Sequence, residues 1–304
     1  MLQALPAPIL FLISLTLLSI NTAICGSMVI LISLLKVLMP TAKLRAWISV
    51  RATWFMKLWA IGNAWIVMLA GKIQWQVEGL ENLSKDDWYL LISNHVSGFD
   101  IAALCYAIRN HIPMLKFFLK HELLYVPFLG MACWALDMPF MRRYSPAKLR
   151  KNPNLKGKDL ESTKKSCERF RHYPTSVINF VEGTRYTKGK AEKQQSPYKH
   201  LLKPKSGGVA YALATLGNQF NKLLNITIVY PDGDEILKKA LSGRLTFVKV
   251  IIETIEVPKI HADKYTNDPA YRAEFQRWLN ELWQQKDRLI EQELQTINAQ
   301  KSPQ

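Results

Sequence analysis

The chain has 304 residues, 49% of them hydrophobic, enough for a sizeable core with some membrane contact besides. Forty Lys and Arg against 24 Asp and Glu leave a net charge of +16, which points to an anionic partner: nucleic acid, anionic lipid, or a phosphorylated substrate or carrier. The four cysteines, Cys25, Cys105, Cys133 and Cys167, form no CxxC pair, so zinc and dithiol chemistry lack support and buried reduced thiols in a cytosol-facing protein are the expectation.

Met1 to Leu35 carries no charged side chain, and Ile9 to Leu35 is almost continuously apolar. As a helix that run is about 40 Å long, against a hydrocarbon core of about 30 Å. It is either one tilted span or a kinked segment that enters and returns. No Lys or Arg precedes it and bulky Ile24 sits before Cys25, so a cleaved or lipoprotein signal is disfavoured. Lys36, Lys43, Arg45, Arg51 and Lys57 follow at once, which favours a cytoplasmic location for the bulk of the chain. From Leu44 to Ile73, Trp47, Trp54, Trp59 and Trp65 mix with Lys and Arg, a composition suited to the lipid headgroup layer or to a Trp-rich core helix.

After Trp75 short β-like runs alternate with helical ones. The strand candidates are "WQVEGL", "WYLLISN", "MLKFFL", "MPFM", "TSVINFV", "LNITIVY" and "LTFVKVIIETI". Helices are expected near Ile101–Arg109, Val126–Ala135, Asp159–His172 and Gly208–Leu216. This alternation predicts an α/β fold with a largely parallel sheet, whose sites form at the carboxyl ends of strands. Pro269 to Ala299 reads as one amphipathic helix with Phe275, Trp278, Leu279, Leu282, Trp283 and Leu289 on its apolar side, and no catalytic role is expected of it.

No GxSxG, P-loop or GxGxxG sequence is present. "HELLY" starts like a zinc-protease helix but lacks the second histidine, the six histidines are scattered, and no nucleic-acid-binding module stands behind the basic charge. What remains is "SNHVSGFD". His95 and Asp100 are five apart, about 500° around an ideal helix, so they meet only if the chain bends before becoming helical. Ser97 and Gly98 permit that bend. Asp100, in the first turn, would then fix the imidazole tautomer and leave the other ring nitrogen to take a proton. Taken alone, the pair is equally a capped helix start with an incidental histidine.

"FVEGTR" places Glu182, Gly183, Thr184 and Arg185 after a strand, where arginine offers a bidentate fork to a phosphate and Gly183 a tight turn. Glu182 would hold that arginine or meet a substrate hydroxyl, although a surface ion pair fits the same residues. "PFMRR" brings Arg143, and "LLKPKSGG" brings Lys203 and Lys205 before a Gly-Gly helix start whose amides suit a phosphate. Arg142 to Arg171 holds eleven Lys/Arg against three Asp/Glu, and Arg185 to Lys205 seven against one. Both zones are either solvated faces or attractors for an anionic substrate or acidic carrier.

In this order and spacing these elements resemble the glycerolipid acyltransferase family typified by 1-acylglycerol-3-phosphate acyltransferase, including its bacterial inner-membrane members. "NHVSGFD" is similar to the family's NHxSxxD and "VEGTR" to its EGTR. "LKHELLYVPFLG" resembles its KxELxxxPxxG segment, "FMRR" its FxxR, and "NITIVYP" its last motif. The likeness covers roughly Trp75 to Pro231; Arg142 departs from it, standing where many members carry an acid.

The resemblance implies that His95 is the general base and Asp100 its orienter. Arg143, Glu182, Gly183, Thr184 and Arg185, with Lys205 as helper, would hold the glycerol phosphate. It further implies acyl-CoA or acidic acyl carrier protein as donor, no metal and no cofactor, and transfer to the free hydroxyl of lysophosphatidic acid or of another lysophospholipid. A non-catalytic lipid-binding protein is the remaining alternative. The expected organisation is a membrane segment over 1–40, an interfacial region over 41–74, the acyltransferase domain over 75–260 and a C-terminal helix over 261–304. The protein would sit at the inner membrane among anionic lipids, with its catalytic domain facing the cytoplasm.

Overall fold

The computed structural model describes residues 5–126, 128–141, 152 and 173–301. Arg143, Cys167, the helix expected over Asp159–His172 and most of the first basic zone lie outside the described residues.

Two long helices come first, α1 (Ala7–Leu38) and α2 (Ala42–Ala70). Residues 39–41 turn the chain back, and the Thr41 hydroxyl caps α2 by accepting from Leu44 N–H. The two pair as a hairpin that is locked by polar groups within an apolar surround. Asn21 Nδ2 donates to Asn63 Oδ1 at 2.8 Å and to Trp59 O at 3.0 Å, while Trp59 Nε1 donates to Thr22 Oγ1 at 3.0 Å. Gly62 makes room for this lock, since a side-chain carbon there would meet the Asn21 amide at 2.6 Å. Such bonds fix register where apolar packing alone would let helices slide.

The hairpin lies along the rest of the protein. Near its start α1 reaches Gly243 through Leu10. Near its end Lys36 Nζ donates to Ala135 O at 2.6 Å and meets Asp137 at 3.0 Å. Ser49 of α2 donates to the same carboxylate at 2.5 Å. The outward face of α1 carries exposed Leu12, Ile20, Ile24, Leu31 and Leu34. Both helices are long and apolar enough to cross a membrane.

The remaining elements are β1 (Gln74–Glu78), β2 (Tyr89–Ser93), α3 (Phe99–Ile108), β3 (Leu115–Phe117), β4 (Leu119–Lys120), α4 (Leu129–Ala135), β5 (Phe140–Met141) and β6 (Ser176–Phe180). They continue with α5 (Lys188–Gln194), α6 (Ser206–Leu216), β7 (Lys222–Val229), α7 (Ile236–Leu241), β8 (Phe247–Ile255), α8 (Ala262–Asn267) and α9 (Pro269–Lys301). All seven expected strand runs contain strand residues; "MLKFFL" is divided between β3 and β4. The short helices α5, α7 and α8 were not expected, because six or seven residues hold too few turns to show a period.

Six strands form one sheet in the order β1-β8-β7-β2-β6-β3, parallel except where β7 meets β8. A two-stranded parallel pair, β4 with β5, stands apart. Every residue of β2 is buried because both faces of the sheet are covered. Leu91 packs with α2, α3 and α7 on one face, whereas Leu90 and Ile92 pack with α6 and α9 on the other. The result is the three-layer α/β architecture that the alternating pattern implied.

Candidate active site

The topology gathers the polar motifs at one place. β2 lies between β6 and β7, all three parallel, and Ser93 pairs with Phe180 on one side and Ile226 on the other. β6 and the next strand β7 thus add on opposite sides of β2, so a crevice opens beyond their carboxyl ends. Two residues past the paired Ser93 and Phe180 stand His95 and Glu182, at the same level.

The chain bends through Ser97 and Gly98 before α3 begins, with Ser97 Oγ accepting from Phe99 N–H. That bend brings His95 Nδ1 within 2.9 Å of Asp100 Oδ2. The same oxygen accepts from Val96 N–H at 2.7 Å and Ser97 N–H at 2.9 Å, and Oδ1 accepts from Tyr230 Oη at 2.7 Å. Asp100 is fully buried at the N-terminal turn of α3, where a carboxylate is favoured. Burial, then the Asp100 charge, push the Tyr230 phenol well above its usual range, which keeps it a donor. The Nδ1 contact leaves Nε2 as the ring nitrogen that Asp100 does not hold. The ring is stacked on Phe180 at 4.1 Å and is only 16% exposed, so its plane is fixed.

The "VEGTR" turn holds the His95 backbone from both sides. His95 N–H donates to Glu182 Oε1 at 3.1 Å and Tyr186 N–H donates to His95 O at 2.7 Å. Glu182 Oε2 accepts from Leu202 N–H at 3.0 Å. Glu182 is fully buried with both oxygens on backbone amides, and so it does not face a substrate. The expectation that Glu182 holds the glycerol phosphate or the arginine is corrected: a carboxylate turned into the core cannot do either. Burial pushes it up to about 8, opposed by the two amides and the Lys286 charge and reinforced by Asp100. Gly183 adopts φ +70°, a left-handed conformation that suits glycine and completes the turn.

Arg185 is exposed beside the bend; a side-chain carbon added at Gly98 would sit 3.8 Å from its guanidinium. Thr184 Oγ1 accepts from Lys190 Nζ at 2.9 Å, and Lys190 also donates to Arg185 O at 2.9 Å. Lys205 begins α6 with its N–H on Val181 O at 2.8 Å, and Ser206 N–H is taken by Gln276 at 3.2 Å. These first amides are therefore spent within the protein. Gly208 serves close packing, because a side chain there would collide with the Asn179 amide on β6. Sequence reasoning assigned no role to Asn94, Phe180, Tyr230 or Lys190. Asn94 pins the loop to β7 by bonding both Ile228 N–H and Ile228 O at 2.9 Å. Of these only Asn94 and Tyr230 left a signal, as polar residues inside quoted motifs.

Among the described residues, no three His, Cys, Asp or Glu side chains are grouped to hold a metal ion. The arrangement is an imidazole held by a buried carboxylate, with the Arg185 guanidinium beside the bend.

The acyltransferase family model matches residues 74–231. Human 1-acyl-sn-glycerol-3-phosphate acyltransferase delta is 24% identical over 229 residues, 70% of this chain and 55% of that protein. The 2-acyl-1-lysophosphatidylinositol acyltransferase of Saccharomyces cerevisiae is 27% identical over 212 residues, 57% of this chain and 52% of that protein. The chain thus spans about half the length of the curated relatives it matches. The crystal structure of the 1-acyl-sn-glycerophosphate (LPA) acyltransferase PlsC from Thermotoga maritima shares the fold, with TM-score 0.50 at 18% identity over 91% of this chain and 97% of that one. With its family model spanning more than half of the chain and both strand-end motifs, the chain belongs to the glycerolipid acyltransferase family.

Proposed function

We propose that the protein transfers a fatty acyl group from acyl-CoA or acyl carrier protein to the free hydroxyl of a lysophospholipid, with lysophosphatidic acid as the preferred acceptor and phosphatidic acid as product. The observation that carries this reading is the His95–Asp100 contact at 2.9 Å. Nε2 takes the acceptor hydroxyl proton as the oxygen attacks the thioester carbonyl; the C–S bond breaks, and the imidazolium returns the proton to the departing thiolate. Asp100 steadies the cationic ring in between. Arg185 meets the acceptor phosphate in this reading, with Lys205 as a weaker attractor; the same role for Arg143 falls outside the described residues. Gly183 and Thr184 shape the turn that presents Arg185, and no cofactor is required because the thioester is already activated.

The hairpin is the membrane anchor in this reading. At 1.5 Å per residue α1 is about 48 Å long, more than a hydrocarbon core of about 30 Å. Contacts with the α/β domain near both its ends favour insertion from one side, with the exposed Leu and Ile face in lipid, over a full crossing. Basic residues around its turn support a location at the cytoplasmic face of the inner membrane, beside anionic lipid. Relatives named for a phosphatidic acid precursor and for a lysophosphatidylinositol support lysophospholipids as a class. The test is a panel of purified protein with labelled acyl-CoA or acyl carrier protein and each lysophospholipid. Fastest transfer to lysophosphatidic acid is expected; transfer to none of them would overturn the proposal.

A further inference from the structure

The amphipathic pattern of α9 suggests nothing more than packing, yet the helix is tied to His95 by two routes. The first runs through the strap of residues 199–206 that joins α5 to α6. At one end Lys199 N–H and His200 N–H donate to the Asp287 carboxylate at 2.9 and 2.8 Å. The side chains of the same two residues meet Glu291 at 2.8 and 2.6 Å. At the other end Gln276 accepts from Ser206 N–H at 3.2 Å and donates to Pro204 O at 3.0 Å. Between these fastenings Leu201 and Leu202 are fully buried, and Leu202 N–H reaches the Glu182 oxygen opposite the one holding His95.

The second route is Lys286. It falls on the buried stripe of α9 with Phe275, Leu279, Trp283 and Ile290, a position where an apolar residue would pack without cost. Its Nζ donates to Ile226 O at 2.5 Å and Thr227 Oγ1 at 3.0 Å on β7, the strand to which Asn94 is pinned. Glu253 and Glu182 are the acids that act on it. Glu182 in turn feels Lys286 and Asp100, accepts from the amides of His95 and Leu202, and acts on the Tyr186 phenol.

We infer that α9 is a positioning element of the active site: Asp287 and Gln276 fasten the strap, Lys286 ties α9 to β7, and together they fix the backbone of His95. These are positioning residues that touch no substrate, and the inference rests on His95 being the base. Burial brings Lys286 down to about 7 and Glu182 up to about 8.

The test uses the full-length protein, with kcat and KM measured across pH and amide exchange followed by mass spectrometry. Asp287→Ala should lower kcat by on the order of 10–10²-fold, the scale of a displaced catalytic group, with acceptor KM unchanged. It should also speed exchange in the strap and at His95. Lys286→Met should do the same, because β7, to which Asn94 is pinned, loses its tie to α9. Asp287→Glu should recover part of the rate, and Arg288→Ala, on the exposed side of α9, should match wild type. Faster exchange confined to the strap, with kcat unchanged in Asp287→Ala, would overturn the inference, and so would unchanged kcat and His95 exchange in folded Lys286→Met. If Lys286→Met does not fold, the Asp287→Ala result decides alone. If the wild type transfers no acyl group, the base assignment fails, and exchange at the His95 amide still decides whether α9 holds it.

Discussion

Two buried aspartates each gather a ring of donors, and they do so for different ends. Asp100 collects His95, Val96 N–H, Ser97 N–H and the Tyr230 hydroxyl, three of the four from within five residues. Asp137 collects the Lys36 ammonium, the Ser49 hydroxyl at 2.5 Å and the Tyr173 hydroxyl at 3.1 Å, every one from a distant segment. The donors of Asp137 tie it to the hairpin and to Tyr173, and none of them is an imidazole. His95 passes the influence of Asp100 outward to Nε2. A buried carboxylate becomes part of a reaction when a donor on it is itself a base with an open side; otherwise it is a rivet, here between the hairpin and the α/β domain.

That contrast can be broken or sharpened by substitution. The largest effect is expected for Asp100→Ala, which removes the tautomer control of His95 and leaves Val96 and Ser97 amides unpaired; acyl transfer should fall by on the order of 10²–10⁴-fold in steady-state assays. Asp137→Ala strands the Lys36 charge and should cost roughly 3–5 kcal/mol of stability in denaturant or thermal melts. Its rate per folded molecule should stay near wild type. If both variants lost rate and stability in equal measure, the distinction between the two clusters would collapse.

The same rivet has a pH signature. Burial alone would raise the Asp137 carboxyl, but the Lys116 and Lys36 charges with the Ser49 and Lys36 hydrogen bonds bring it below its ordinary value of 3.8. A folded value below the unfolded one means stability that is present above pH 3.8 and lost as pH falls through the lower folded value. Melts in acid should show this loss in wild type and not in Asp137→Ala. Arg185→Ala comes next, with acceptor KM raised about tenfold for loss of a charge-assisted contact and kcat little changed. Tyr230→Phe removes one donor from Asp100 and should cost about 1 kcal/mol, a few-fold in rate.

The active site was legible where its geometry is local. A strand, a Ser-Gly bend and a helix start are written within "WYLLISNHVSGFD", and the turn after "INFV" is written in Gly183. What lay outside sequence reach depends on direction and distance. Nothing in "VEGTR" says that Glu182 turns into the core while Arg185 turns out; that follows from Leu202 and His95 amides converging on one carboxylate. The buried stripe of α9 was read from its apolar residues alone, so Lys286, at the right spacing but the wrong polarity, was passed over. The Asp137 rivet joins residues 36, 49, 137 and 173, separations no motif spans. The α/β class was legible for the opposite reason, because alternation of strand and helix is repeated along the whole domain.

The central claim is that His95 removes the acceptor proton. The most direct measurement is single-turnover acyl transfer from labelled acyl-CoA to lysophosphatidic acid by wild type and His95→Ala at equal folded concentration. The rate of the variant is expected to drop by on the order of 10²–10⁴-fold with acceptor binding intact. Transfer at the wild-type rate without the imidazole would contradict the mechanism.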